Sequence, residues 1–213
     1  MTEICIFPIP DCVTFPGTVF PLHVFEPRYR NMIQHCLDSH TPVAICHTQK
    51  LLSPAKPNQD LETALHSNQA TYKPYPIFSA GQPQLLETLD DGRMLLNIHI
   101  RQRYRAITEK QTLPYMIYDC EPFLDRTIDP EDLDYHEELK QRILKRLDAL
   151  AFQQPEFLDV YKANDWQVKP VNEFSFQLFG LIAFGADIQQ HILEMDNITD
   201  RLEQALELLI RIG

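Results

Sequence analysis

The spacing of apolar residues changes part-way along this chain, and that change constrains the fold more than any other feature. In the first half apolar and polar residues alternate, most clearly from Met94 to Ile100, which is the pattern of half-buried β-strands. From Asp129 onwards apolar residues recur every three or four positions, as they do on amphipathic helices. The sequence therefore predicts an α+β fold, with a β-rich lobe over residues 1–122 and a helical lobe over residues 129–213.

A single helix is predicted inside the β-rich lobe, at the end of the segment FPGTVFPLHVFEPRYRNMI (residues 15–33). Pro16–Gly17 forms a turn signal and Val19 to Phe25 reads as extended chain. Pro27 suits the first turn of a helix, because the N–H that proline lacks would have no partner there. We expect four rings of this segment to pack rather than to contact a ligand: Phe15, Phe20, Phe25 and Tyr29. Truncating Phe25 to alanine would then cost about 3–5 kcal/mol.

The rest of the β-rich lobe contains one segment with little strand character. Residues 50–76 contain four prolines and many polar groups, which predicts a long mobile loop. A hairpin is predicted around Asp91–Gly92, with Leu85 to Leu89 as its first strand. Two further strands are predicted at Tyr104 to Thr108 and at Tyr115 to Cys120.

The helical lobe has clear start signals. Asp129 and Pro130 resemble an N-cap followed by a first-turn proline. The segment from Phe174 to Phe184 is apolar nearly all round, which is typical of a helix in the middle of a bundle. Gly185 is expected to end that helix, and Asp187 to cap the next one.

The amino-acid composition limits the classes of partner and site that the chain can have. Thirty acidic against 19 basic residues give a net charge of -11, which disfavours nucleic acid and anionic membranes as partners. The N-terminus lacks the features of a signal peptide and no apolar run is long enough to span a membrane, so we expect a cytoplasmic protein. The five cysteines form no C-x-x-C pair, so free thiols are expected, with neither a metal site nor a cofactor.

No familiar catalytic motif is present. The sequence has no phosphate-binding loop, no G-x-G-x-x-G, no H-E-x-x-H and no G-x-S-x-G. Two functions remain as alternatives: a hydrolase whose Cys/His or Ser site is assembled only in space, and an RNA-binding protein. RNA binding would use Arg101, Arg103 and Arg105, which alternate along one strand. A solvated strand face that pairs with nearby carboxylates is the preferred interpretation of these arginines.

Three blocks of sequence carry a resemblance to a known family. They are FPIPDCVTFPGTVFPLHVFEPRYRNMIQHCL (7–37), DGRMLLNIHIRQRYRAI (91–107) and FSFQLFGLIAFGADIQQHILEMDNITDRLEQALELL (174–209). Together they resemble the N-terminal substrate-recognition domain of Lon protease, with its V-x-F-P-G turn, P-L-x-V/I-F-E strand and R-Y-R helix start. The segment PIFSAGQPQLLETL departs from the family in lacking a Gly-Thr. The resemblance implies a PUA-like β-barrel lobe followed by a helical bundle.

The resemblance also implies a function. We expect a stand-alone, non-enzymatic module without the Lon ATPase and Ser–Lys peptidase domains. Ser79, in FSAG, matches the surroundings of the peptidase serine only by coincidence. The expected partners are unfolded or degron-bearing polypeptides, together with a protease or chaperone, in protein quality control.

Candidate binding residues are aromatic rings in segments where the regular pattern breaks. The segment AFQQPEFLDVYKANDW has rings beside Pro155 and Asn164–Asp165, and other rings lie at the end of the long predicted loop. We predict that they line a cleft between the lobes and bind peptide, because aromatic anchors carry much of the energy of interfaces. The alternative is that they pin loops to the bundle. The candidates are Phe152, Phe157, Trp166, Tyr72, Tyr75 and Phe78.

Overall fold

The computed structural model of the chain forms two compact units. It describes residues 1–54, 70–153, 155–162, 165–182 and 184–212, apart from the side chains of residues 153, 155–157, 160 and 212. Met1–Phe123 forms the β unit and Leu124–Gly213 the helical unit. The predicted α+β class is therefore confirmed.

The β unit is a barrel-like sheet with one helix. Its elements are β1 (Thr2–Pro8), β2 (Val19–Val24), α1 (Pro27–Ser39), β3 (Val43–Cys46), β4 (Thr48–Ser53), β5 (Thr71–Pro74), β6 (Ile77–Thr88), β7 (Met94–Gln111) and β8 (Met116–Pro122). Six strands lie in the order β2-β7-β6-β3-β1-β8, and β7 also pairs with β8, which closes the sheet into a ring. The β1–β3 pair is parallel, and the other pairs in this sheet are antiparallel. The remaining strands, β4 and β5, form a separate two-stranded sheet.

The core of the β unit follows the predicted periodicities. Leu22 and Val24 alternate with exposed residues along β2 and turn toward α1, whose face of Tyr29, Met32 and Ile33 covers that side of the sheet. A second cluster of buried side chains points to the opposite face of the sheet, because its members on β1 and β3 alternate with those of the first cluster. Its members are Ile4, Ile6, Ala44, Cys46, Phe78, Ala80, Tyr104, Met116 and Cys120. The unit thus packs around two sets of apolar side chains.

Two predictions for the β unit are corrected. Within residues 50–76, the described parts include strands β4 and β5, so the prediction of one long loop is wrong there; residues 55–69 lie outside the described residues. Strand β6 begins at Ile77 rather than near Leu85, because Gly81 allows it to continue past β7. A Cβ at Gly81 would lie 1.8 Å from the carbonyl oxygen of His99, so only glycine fits this close approach.

The helical unit begins with the predicted cap. The Asp129 carboxylate accepts a hydrogen bond from the Glu131 N–H at 3.2 Å, and a short 3-10 turn over Pro130–Asp132 leads into the first long helix. The helices are α2 (Leu133–Gln153), α3 (Pro155–Lys162), α4 (Val171–Gln177), α5 (Ala186–Glu194) and α6 (Ile198–Ile212).

The predicted helix over Phe174 to Phe184 is wrong at its C-terminal end. Helix α4 stops at Gln177 and a 3-10 turn follows over Leu178–Gly180; glycine at the end of that turn is a poor helix former. Gly185 therefore does not end this helix. It is the N-cap residue of α5, and Asp187 lies in the first turn of that helix.

A buried arginine ties the helical unit together. Arg201 on α6 is fully buried and donates to both carboxylate oxygens of Asp125 at 2.6 Å. It also donates to the Ser175 hydroxyl at 3.1 Å and to the Met195 carbonyl at 3.0 Å, and its guanidinium lies 4.0 Å from the centre of the Phe176 ring. Such a satisfied, bidentate pair fixes the position of α6 against α4 and the start of the unit.

Candidate functional site

The abrupt corner between β2 and α1 positions the residues of the candidate site. Glu26 has an extended backbone and precedes Pro27, which occupies the first turn of α1. The carbonyl of Glu26 accepts the Tyr29 N–H at 3.0 Å, which closes the first helical turn. Because the chain turns within two residues, Phe25 and Tyr29 come to lie on the same side of the corner.

A pocket of about 470 Å³ opens at this corner, and we call it the corner pocket. Its size falls within the range of about 300–1,000 Å³ that is typical of ligand sites. The Phe7 and Tyr29 rings stack in its wall, with their centres 4.1 Å apart. The residues that line it come from the end of β1, the β2–α1 corner and the start of β5: Phe7, Pro8, Ile9, Pro10, Leu22, His23, Phe25, Glu26, Tyr29, Ala70 and Tyr72.

Arg28 attaches the β5 wall of the corner pocket to the corner itself. Its guanidinium donates to the Glu26 carboxylate at 2.9 Å, to the Thr71 hydroxyl at 2.8 Å and to the Ala70 carbonyl at 2.8 Å. The group also lies 4.5 Å from the centre of the Tyr29 ring. With only 6% of its surface exposed, Arg28 is held in place next to the lining residues Glu26, Tyr29 and Ala70.

The walls of the corner pocket carry little net charge. The carboxylate of Glu26 forms an ion pair with Arg28, and their side chains are only 12% and 6% exposed. Burial raises the pKa of Tyr29 to about 12, so its phenol is neutral at physiological pH. His23 lines the mouth and is exposed. The arrangement suits uncharged apolar groups that are excluded from water.

A second recess is lined by residues of β2, β6 and β7. Its volume is about 310 Å³, and it shares Leu22 and His23 with the corner pocket. Leu86, which is 59% exposed, contributes to it together with Leu95 and Pro21. Apolar side chains therefore line two recesses next to strand β2.

The six aromatic residues proposed from the sequence lie in different surroundings. In the β unit, Tyr72 lines the corner pocket, whereas Tyr75 stacks on His47 with ring centres 5.2 Å apart. Phe78 is 1% exposed and belongs to the barrel core. Of this group, only Tyr72 lines the corner pocket, and Phe78 is available to a ligand only if the barrel core opens.

The other three candidates belong to the helical unit. Phe152 is 91% exposed near the end of α2, and the side chain of Phe157 lies outside the described residues. Trp166 is 5% exposed; its indole N–H donates to the Tyr161 carbonyl at 2.9 Å, and its ring meets Phe174 edge-on. The burial of Trp166 fits the alternative that the ring pins a loop. Peptide binding by any of the six residues stays a prediction.

Lys140 reinforces the loop that contains Trp166. Its ammonium group is buried in the helical unit and donates to the carbonyls of Gln167 and Lys169 at 2.7 and 2.8 Å. These bonds satisfy the buried charge and hold the loop against α2.

The rings of the opening segment are partly as predicted. Phe15 and Tyr29 are buried, but Phe20 and Phe25 are only half-buried. Phe25 lines the corner pocket, so its truncation leaves less of a closed cavity than the sequence predicts. Ile9, Pro10 and Leu22 were not predicted from the sequence as site residues. The FPIP segment (residues 7–10) is the sequence feature that could have indicated Ile9 and Pro10.

The arginines of β7 do not form a uniform basic face. Arg103 is 3% exposed and its guanidinium lies 4.6 Å from the centre of the Phe123 ring. Arg105 covers the same ring at 4.9 Å and lies 3.9 Å from the carboxylate of Glu121. Arg105 thus pairs with acid as expected, whereas the expectation of a solvated face is wrong for Arg103, because Phe123 covers it.

Three of the five cysteines lack the environment of a nucleophile. Burial raises the pKa of Cys12 to about 11 and that of Cys120 to about 12, and it raises the pKa of Cys46 well above the ordinary value. A thiol with a raised pKa holds little thiolate at neutral pH. Within the described residues, no group of three or more His, Cys, Asp or Glu side chains is placed to hold a metal ion.

Comparison with known families decides where this chain belongs. The profile of the ATP-dependent protease La (LON) substrate-binding domain matches residues 3–211, nearly the whole chain. The chain belongs to the Lon substrate-binding domain family. The family predicted from the three sequence blocks is therefore confirmed. No curated protein sequence matches this Lon-type domain at a significant level.

Solved structures share the fold of this Lon-type domain at low sequence identity. The Lon N-terminal domain protein from Xanthomonas campestris is similar with a TM-score of 0.57 and 17% identity, over 97% of this chain and 98% of that chain. The N-terminal domain of the Mycobacterium avium complex Lon protease is similar with a TM-score of 0.66 and 12% identity, over 98% of both chains. The predicted PUA-like architecture of the β-rich part is confirmed.

No described helix of this Lon-type domain combines the length and the apolar character that a membrane-spanning helix needs.

Proposed function

We propose that this Lon-type domain is a non-enzymatic module that binds unfolded or degron-bearing polypeptides in the cytoplasm, in protein quality control. Its contact site is the corner pocket, which takes apolar side chains of an otherwise extended polypeptide. The observation that carries the proposal is the apolar, charge-balanced pocket in a member of a substrate-binding domain family. Unfolded chains differ from folded ones in exposing apolar side chains, so such a pocket selects for them.

The two alternatives have less support. A thiol hydrolase needs a stabilised thiolate, and burial acts in the opposite direction on Cys12, Cys46 and Cys120. An RNA-binding face needs accessible cations, and Arg103 is covered by Phe123. A non-enzymatic role predicts that the pure protein neither hydrolyses ATP nor cleaves casein. Either activity, if abolished by one substitution in this chain, would contradict that part of the proposal.

The test of the binding site is a matched pair of tyrosine substitutions. Tyr72→Ala removes a half-buried ring from the corner pocket, while Tyr135→Ala removes a 39% exposed ring from the helical unit. Affinity for a reduced and alkylated, permanently unfolded protein is measured by fluorescence anisotropy. Loss of an aromatic anchor typically costs about 2 kcal/mol or more, which is roughly a 30-fold weaker Kd. We expect that loss for Tyr72→Ala and an unchanged Kd for Tyr135→Ala. Equal affinities for both variants and the wild type would contradict the proposed site.

Phe152 defines a second candidate site, because it is 91% exposed on α2. A single exposed apolar side chain is ordinary on a protein surface, but aromatic rings are enriched at protein–protein interfaces. Phe152→Ala in the same assay tests this site without disturbing the core. If Phe152→Ala weakens binding and Tyr72→Ala does not, the binding site lies on the helical unit.

A further inference from the structure

Strand β2 lies at the edge of the six-stranded sheet, and β7 is the strand that it pairs with there. The pairing is antiparallel, with Pro21 opposite Asn97 and Leu22 opposite Leu96. In an antiparallel pair, the main-chain groups of successive residues point alternately toward the partner strand and away from it. Every second residue of β2 therefore presents its main-chain groups to the outer edge of the sheet.

Two observations decide which residues of β2 face outward. The Ile100 N–H donates to the Thr18 carbonyl at 2.9 Å, so Thr18 faces β7 and the main-chain groups of Val19, Pro21 and His23 point away from it. Proline agrees with this assignment, because in a sheet it is confined to edge positions where the N–H that it lacks would face outward. The outer edge thus carries the N–H groups of Val19 and His23 and the carbonyls of Val19, Pro21 and His23.

The outer edge of β2 is accessible. Val19 is 51% exposed, and Pro21 and His23 are exposed as well. In the part of the chain that the structure describes, no group forms a hydrogen bond with the outward main-chain groups of these three residues. A row of unpaired donors and acceptors at a sheet edge is a template for a further strand.

Apolar recesses lie next to this edge. Leu22 and His23 line both the corner pocket and the second recess. Leu22 packs toward α1, whereas the side chain of His23, the next residue, points to the other face of the sheet. A strand added to β2 would also point its side chains alternately to the two faces. Apolar side chains of such a strand would therefore lie close to these recesses.

We propose that the outer edge of β2 binds an extended segment of an unfolded polypeptide by adding it to the sheet as a further strand. This inference rests on the proposed polypeptide-binding function and names the mode of binding. Main-chain hydrogen bonds hold the segment, and the recesses select its apolar side chains. A helical segment does not fit, because its N–H and C=O groups are paired within the helix. An extended chain presents unpaired groups at the two-residue spacing of the β2 edge.

Pro21 limits the strength of this pairing. It removes one donor from the middle of the edge, so a docked segment makes fewer hydrogen bonds than it would with a strand that lacks proline. Proline on an edge strand also opposes uncontrolled pairing between sheets. The edge is therefore suited to a short segment that is bound and released again.

The first test compares three peptides that share one short sequence with Leu-Phe-Leu at its centre. One peptide is unmodified, and the other two carry backbone N-methyl groups on the odd-numbered or on the even-numbered residues. Along a paired strand only alternate N–H groups face the neighbour, so only one of the methylated peptides loses its bonds to β2. We expect that peptide to bind roughly tenfold or more weakly, and the other to bind like the unmodified peptide.

Hydrogen exchange of the protein's own amides, followed by NMR, locates the pairing. The Val19 and His23 N–H groups should exchange fast in the free protein, and roughly tenfold or more slowly with saturating unmodified peptide. The Phe20 and Leu22 N–H groups face β7. They serve as internal controls that should be protected in both states.

The outcomes separate this inference from the proposed function. Binding of the unmodified peptide, with equal affinities of the two methylated peptides and Val19 and His23 amides that stay fast, would overturn the strand addition and leave the proposed function intact. An unmodified peptide that does not bind would overturn both. Edge amides that are slow in the free protein and become fast on dilution would show that a second copy of this chain covers the edge, which would also overturn the inference.

Discussion

Replacing Arg201 tests whether one buried side chain holds the helical unit together. Its guanidinium makes hydrogen bonds to Asp125, Ser175 and Met195 and stacks on Phe176. Breaking a buried ion pair by removing one partner costs about 3–5 kcal/mol. The Asp125 side chain is 20% exposed and regains some hydration, so we expect a loss near the lower end for Arg201→Ala. For a chain of this size, about 3 kcal/mol corresponds to a fall in Tm of roughly 6–12 °C.

Helix α6 supplies a matched control for this substitution. Arg211 pairs with Glu207 at 3.6 Å, but both side chains are more than half exposed, and such pairs contribute less than about 0.5 kcal/mol. Urea unfolding is followed by the fluorescence of Trp166, the single tryptophan, which is buried in the same unit. Arg201→Ala should lower the free energy of unfolding, and Arg211→Ala should not. Equal stability of the two variants would refute the claim that Arg201 anchors the unit.

Three further predictions concern the β unit. Phe78→Ala should lower the free energy of unfolding by about 3–5 kcal/mol because the ring is buried in the core, whereas Phe25→Ala should cost less than about 2 kcal/mol because the ring is half-buried; calorimetry measures both. The hydrogen bond and charge of Lys110 lower the pKa of Glu3. The pair therefore stabilises the folded protein at pH values above the pKa that Glu3 has in the unfolded chain. This stabilisation is lost as the pH falls through the lower pKa that Glu3 has in the folded protein. In an NMR titration, Lys110→Gln should raise the pKa of Glu3, and an unchanged pKa would contradict the pairing. Burial raises the pKa of Cys12 to about 11, so at pH 8 its alkylation in the native protein should be slower than in the unfolded chain by roughly tenfold or more, as mass spectrometry can follow.

Local patterns in the sequence were enough to predict several elements. The start of α1 follows from Pro27 in a first helical turn and is found where predicted, and β8 overlaps the strand predicted at Tyr115 to Cys120. The N-cap at Asp129 is confirmed for the same reason, since its partner is only two residues away. Such features depend on neighbours in sequence, and a sequence displays them directly.

The candidate site depends on contacts that the sequence does not display. Arg28 and Thr71 are 43 residues apart, and their hydrogen bond is part of what brings β5 to the corner. Strands β4 and β5 are rich in polar residues and show no strong alternation of apolar and polar residues. The two strands are held by pairing with each other rather than by a buried apolar face, so the sequence gives little sign of them. The segment around Trp166 has an interrupted helical pattern in the sequence. In the structure, hydrogen bonds from Trp166 and Lys140 to backbone carbonyls hold this segment in place. The periodicity of apolar residues along the sequence indicates none of these contacts.

The most direct test of the central claim is an NMR titration of the isotope-labelled protein with an unlabelled peptide that has a Leu-Phe-Leu core. We predict that the largest shift changes occur at residues of the corner pocket, above all Leu22, Phe25 and Tyr72, because ring currents act only over short distances. Resonances of the helical unit around Phe152 should move much less. Changes concentrated around Phe152, or a spectrum that the peptide leaves unchanged, would contradict the claim that the corner pocket binds polypeptide.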